Sequence, residues 1–72
     1  MRNVDDDIDI AAEAPIAPIE AASALRKHES TGSRTLKKLK KLLNKSEDEY
    51  ITVAEFSKFT GLSVAYILQF LH

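Results

Sequence analysis

The clearest hydrophobic pattern lies in the second half of the chain. At about 100° per residue, Leu36, Leu39, Leu42 and Leu43 share one arc of a helix, and Lys37, Lys38, Lys40, Lys41 and Lys45 fill the other. Such a stripe predicts a helix with a buried leucine face and a solvated lysine face. The run Ser30-Thr31-Gly32-Ser33 reads as a break between elements, so Ser33 or Thr35 is the expected cap of this helix. Its trailing lysines suit the negative pole of the helix dipole.

After the polar connection Ser46-Glu47-Asp48-Glu49 comes Thr52-Val53-Ala54-Glu55. At that spacing a Thr hydroxyl caps the Glu N–H while the Glu carboxylate returns to the Thr N–H. Tyr50 or Ile51 is placed to staple against Phe56. Gly61 suits the left-handed residue that ends this helix near Phe59 or Thr60, and Ser63 caps a last helix, Val64 to Leu71. Upstream, Ile16, Ile19, Ala22 and Leu25 recur at helical spacing behind Pro18, a residue tolerated at a first helical position. A helix that short depends on packing. Residues 1–15 hold four aspartates, Glu13 and several alanines. They bury too little apolar surface to offset chain entropy. The expectation is an all-α, three- to four-helix module. It has a disordered acidic arm over 1–15, a conditional short helix and linker over 16–32, and a helical domain over 33–72 ending in a helix-turn-helix-like pair.

Seventy-two residues hold one domain at most. The absence of cysteine excludes disulfides and thiolate chemistry. The net charge of −1 divides unevenly: residues 1–29 carry three basic and seven acidic side chains, and residues 30–72 carry seven basic and four acidic. An acidic arm on a basic body is a pattern of interaction tails and polyanion partners. The apolar run 63–72 is too short to span a bilayer, and acids stand where a signal peptide would be basic. A soluble, cytoplasmic chain with no membrane partner is expected.

Ser57, Gly61 and Ile67 fall on helix-turn-helix offsets: a small residue facing the second helix, a turn glycine four later, and a branched anchor six beyond. Phe56, Leu62 and Phe70 or Leu71 take the core positions. The stretch 50–71, YITVAEFSKFTGLSVAYILQFL, resembles the helix-turn-helix of excisionase-like and MerR-like DNA-binding proteins. The resemblance implies that Ser63–His72 enters a major groove while the preceding helix crosses the backbone, with lysines on phosphates. The candidate DNA-contacting residues are Lys37, Lys38, Lys40, Lys41, Lys45, Lys58, Ser63 and Gln69. Of the outward positions of the last helix, Gln69 is the one suited to base edges.

That helix is apolar over most of its circumference, and such a helix is normally covered on more than one side. A homodimer, docking of the Ile16–Leu25 segment, or a protein partner would supply the cover. Val64, Tyr66, Leu68, Phe70 and Leu71 are the candidate interface residues.

The twelve residues Asn44 to Glu55 look like an EF-hand loop, with Asn44, Ser46, Asp48, the Tyr50 carbonyl, Thr52 and Glu55 at ligand positions. Glu49 stands where the sharp turn requires glycine, and the capping box accounts for Glu55 without an ion. No metal or cofactor is assigned. His28 and His72 are far apart, and no nucleophile set, paired carboxylates or phosphate loop is discernible. The expected function is a small non-enzymatic DNA-binding or DNA-associated regulator, such as a transcriptional modulator or recombination accessory factor, with no small-molecule substrate. The alternative is a helical protein-interaction module, an inhibitor, adaptor or assembly subunit, docking through its last helix.

Overall fold

The computed structural model describes residues 10–71. Among them the chain is all-α, with helices α1 (Pro18–Leu25), α2 (Glu29–Leu42), α3 (Val53–Thr60) and α4 (Val64–Leu68), and a single antiparallel bridge between Pro15 and Thr52.

α1 starts where Pro18 fixes the backbone dihedral of the first helical residue. The buried Glu20 carboxylate reaches back to accept the Ala17 N–H at 2.8 Å, satisfying a donor that the helix leaves free. The helix ends on Arg26 in the left-handed region (φ 57°), with the Lys27 N–H on the Ala22 carbonyl at 3.0 Å.

α2 starts at least five residues earlier than the sequence suggests, capped at His28 where Ser33 or Thr35 is expected. Ser30-Thr31-Gly32-Ser33, expected as a break, forms its first turns, and Thr35, expected as a cap, is a mid-helix residue whose hydroxyl donates to the Thr31 carbonyl at 2.8 Å. The cause is tertiary. α1 packs closely on α2 at Gly32, where an added Cβ would sit 2.8 Å from the Ala22 nitrogen and 3.0 Å from the Ala22 Cβ, and closer still to the Pro18 carbonyl oxygen. The glycine that weakens a helix in isolation lets two helix backbones approach here.

Of the segment read as a disordered arm over 1–15, residues 1–9 lie outside the described residues. Residues 12–15 are held against the start of α3. Ala12 is buried, and the Ala54 and Val53 N–H groups donate to the Ala12 and Ala14 carbonyls at 2.9 and 3.0 Å. The Ile16 N–H returns to the Ile51 carbonyl at 2.9 Å. The start of α3 therefore draws acceptors from a segment some forty residues earlier in the chain. This backbone pairing gives residues 12–15 partners that their side chains do not advertise.

One core cluster joins Ile16, Ala21 and Ala24 to Leu36, Leu39, Ile51, Val53, Phe56 and Ile67. The expected boundary between 16–32 and 33–72 is thus not a boundary in packing. α1 also contacts α4, so the Ile16–Leu25 segment supplies part of the cover that the apolar last helix needs.

The capping box at Thr52 is formed: the Glu55 N–H donates to Thr52 Oγ1 at 3.2 Å and the Thr52 N–H to Glu55 Oε1 at 2.9 Å. Ile51 and Phe56 share the core, and Tyr50, the other candidate for the staple, is exposed. Gly61 ends α3 in the left-handed region (φ 81°), and Ser63 Oγ accepts the Tyr66 N–H at 3.2 Å to begin α4. The Ser57 hydroxyl donates to the Leu62 carbonyl at 2.5 Å and fixes the corner. α4 is shorter than the expected Val64–Leu71: beyond Leu68 the bonds tighten, with the Phe70 N–H on the Ile67 carbonyl and the Leu71 N–H on that of Leu68. His72 lies outside the described residues.

Candidate functional site

The lysine face of α2 divides into two sets. Lys37, Lys38 and Lys41 are exposed and carry no ion pair among the described residues. Lys40 and Lys45 are half-buried and turned toward their own chain: the Lys40 ammonium donates to the Glu47 carbonyl at 3.0 Å, and the Lys45 ammonium to the Tyr50 carbonyl at 2.7 Å. Lys37, Lys40, Lys41 and Lys45 nonetheless surround one cavity of about 270 Å³ with Glu47. This is a concentration of positive charge that favours a polyanion. Lys58 stands apart from it on α3.

Lys45 owes its position to Asn44, which adopts the left-handed conformation (φ 57°) and turns the chain back so that the Lys45 N–H bonds the Lys40 carbonyl at 2.8 Å. From there the ammonium reaches Glu55 Oε1 at 2.6 Å. In the loop that resembles an EF-hand, the carbonyl of the seventh residue and the carboxylate of the twelfth converge on a cation, and that cation is the lysine side chain itself. Among the described residues no group of three or more His, Cys, Asp or Glu side chains is placed to hold a metal ion. Burial alone raises the Glu55 carboxyl. Hydrogen bonds from the Lys45 ammonium and from the Thr52 N–H and hydroxyl, with the Lys45 charge, outweigh it and hold the group below its ordinary 4.5.

Part of the exposed apolar surface lies outside the last helix. Val64, Leu68, Phe70 and Leu71, read as interface residues, are half-buried against the chain's own core. Tyr66 is half-buried too, its ring edge-to-face with Phe70 at 5.2 Å and 67°. Leu42 and Leu43, read as core, are 63% and 42% exposed, and Phe59 is 41% exposed. With Leu39, Glu55 and Lys58 they line an open groove of about 400 Å³ between α2 and α3. The reason is length: the leucine arc of α2 runs on to Leu43, while the chain leaves through a turn and returns in an α3 of eight residues. Adjacent leucines at the end of an arc, facing a short helix, were the available signal.

Ser63 and Gln69, the candidate DNA contacts of the last helix, are both exposed, but Gln69, the one suited to base edges, lies just past the end of α4. No helix among the described residues is long and apolar enough to cross a membrane. Comparisons with protein-family models, with curated proteins and with solved structures find no match to this chain.

Proposed function

We propose that the chain is a small DNA-associated regulator that holds duplex DNA mainly through its phosphates. The observation that carries this reading is the α3–α4 corner. Gly61 turns the chain, the Ser57 hydroxyl locks the Leu62 carbonyl, and Ile67 is buried in the same core as Phe56. We take this corner as the brace of a helix-turn-helix, whose second helix would be the one to approach DNA. The exposed Lys37, Lys38 and Lys41 supply the cationic surface, and each lysine that neutralises a phosphate contributes to a steep salt dependence. A five-residue α4 with Ser63 and Gln69 as its polar edge offers few base contacts, so the proposed binding is weakly selective for sequence and strongly dependent on salt. The test is a titration of duplex DNA at increasing salt: affinity unresponsive to salt, or no binding at low salt, overturns the reading.

A second reading, a protein-interaction module, is favoured by the Leu42–Leu43–Phe59 groove, since exposed apolar side chains gathered in one groove mark a contact surface. Sedimentation with duplex DNA at low salt separates the two: a chain that stays apart from the DNA favours the second.

A further inference from the structure

The groove between α2 and α3 has an apolar floor and a positive rim. Leu42, Leu43 and Phe59 form the exposed floor. Lys58 lines one side, and Lys38, one helical turn before Leu42, flanks the other at i, i+4 spacing. Neither lysine is ion-paired among the described residues. The acid that also lines the groove, Glu55, is neutralised by Lys45 at 2.6 Å. The occupant that fits is therefore apolar and acidic at once. A second copy of the chain does not fit. An isologous contact through this face would bring the Lys38 and Lys58 of both copies into one interface, with no unpaired acid on the face among the described residues to offset them, and like charges brought together disfavour the contact. Nucleic acid does not fit the apolar floor.

The chain carries a segment with the required composition. Val4-Asp5-Asp6-Asp7-Ile8-Asp9 joins two branched apolar residues to four aspartates, and it leads directly into Ile10. Its attachment point is close. The Ala12 carbonyl accepts the Ala54 N–H at the start of α3, and Phe59 lies about 8 Å further along that helix at 1.5 Å per residue. Six extended residues reach roughly 20 Å, so the segment spans the distance within one molecule. Being tethered, it competes at a high effective concentration with any partner in solution.

We propose that residues 4–9 occupy the Leu42–Leu43–Phe59 groove of their own chain, with Val4 and Ile8 on its floor and the aspartates against Lys38 and Lys58. The inference rests on the groove and the segment, and it stands or falls independently of DNA binding. Occupied in this way, the groove is closed to other proteins until something displaces the segment.

The chain has no cysteine, so Asn3→Cys accepts a single nitroxide spin label in the full-length protein. At low salt and high dilution the label is expected to broaden the Leu42, Leu43 and Phe59 resonances selectively. The broadening is expected to be largely lost at high salt, and also in a chain that carries Asp5→Asn, Asp6→Asn, Asp7→Asn and Asp9→Asn in addition. Labelled chains mixed with unlabelled, isotope-enriched ones report contact between molecules. Broadening in that mixture but not within one molecule, broadening centred elsewhere, or none at all overturns the proposal. Circular dichroism of each variant confirms that the helices are retained, so a lost signal is read as lost docking.

Discussion

The Lys45 ammonium lies 2.6 Å from Glu55 Oε1, and the same oxygen accepts the Thr52 N–H at 2.9 Å and the Thr52 hydroxyl at 3.1 Å. One carboxylate oxygen thus caps α3 and fastens the connection from α2 to it. Because the folded Glu55 carboxyl is held below 4.5, folding favours its ionised form. That contribution is fully present above pH 4.5 and is lost as the pH falls through the lowered folded value. Glu55→Gln keeps an acceptor for the Thr52 N–H but loses the charge facing Lys45, so it is expected to remove this part of the acid sensitivity and to lower stability at neutral pH by no more than about 1 kcal/mol. Urea unfolding of both chains between pH 3 and pH 7 measures it. Parallel stability curves for the two chains would refute the assignment.

Gly32→Ala sets two effects of opposite sign against each other. In a free helix alanine is better than glycine by about 1 kcal/mol. Against α1, the added methyl meets backbone atoms of Pro18 and Ala22 that have no flexible end to move aside. Overpacking of this kind costs roughly 1–3 kcal/mol, so the variant is expected to be less stable, with α1 displaced first. Thermal unfolding gives the sign, and a raised midpoint contradicts the close approach.

The first amides of a helix normally exchange with solvent quickly because they lack intrahelical acceptors. Val53 and Ala54 are expected to be protected, since the Ala14 and Ala12 carbonyls accept from them. Each bond is worth on the order of 1 kcal/mol. Amide exchange followed by NMR, with Ser57 as a mid-helix reference, tests this. Truncation before Ile16 should make both amides exchange fast, while truncation before Ile10 should leave them protected.

The two sets of lysines separate in binding and in stability. Replacing Lys37, Lys38 or Lys41 by Gln is expected to weaken DNA binding and to reduce the salt slope by about one unit each, with folding unchanged. Lys45→Gln removes an internal bond to Glu55 and to the Tyr50 carbonyl, so it should lower the midpoint of unfolding whether or not it alters binding. Salt-titrated affinities beside urea midpoints give both numbers for each variant.

What the sequence made legible was local. Thr52 with Glu55, Gly61, Ser63 and Pro18 are start and stop signals that act within a few residues, and each forms as the spacing predicts. The misreadings come from contacts between distant residues. Ser30–Ser33 resemble a loop because three small polar residues surround a glycine, yet packing on Pro18 and Ala22 decides their conformation. Residues 12–14 act through carbonyls, which no side-chain pattern encodes. Of the candidate contacts, the exposed lysines follow from the pattern. The groove does not, because it depends on where α3 stops relative to Leu42 and Leu43.

The clasp between Ala12–Ile16 and Ile51–Ala54 also sets an order of assembly. α1 and α2 are neighbours in sequence and meet at the cost of a short connection, whereas the clasp closes a loop of about forty residues, an entropic cost of roughly 3 kcal/mol. On the ribosome the segment that completes the start of α3 is made first and waits longest for its counterpart. Contact order of this kind makes joining the two ends of the fold the slow step. A chain released before Ala54 would hold the α1–α2 hairpin with its longest-range joint still open.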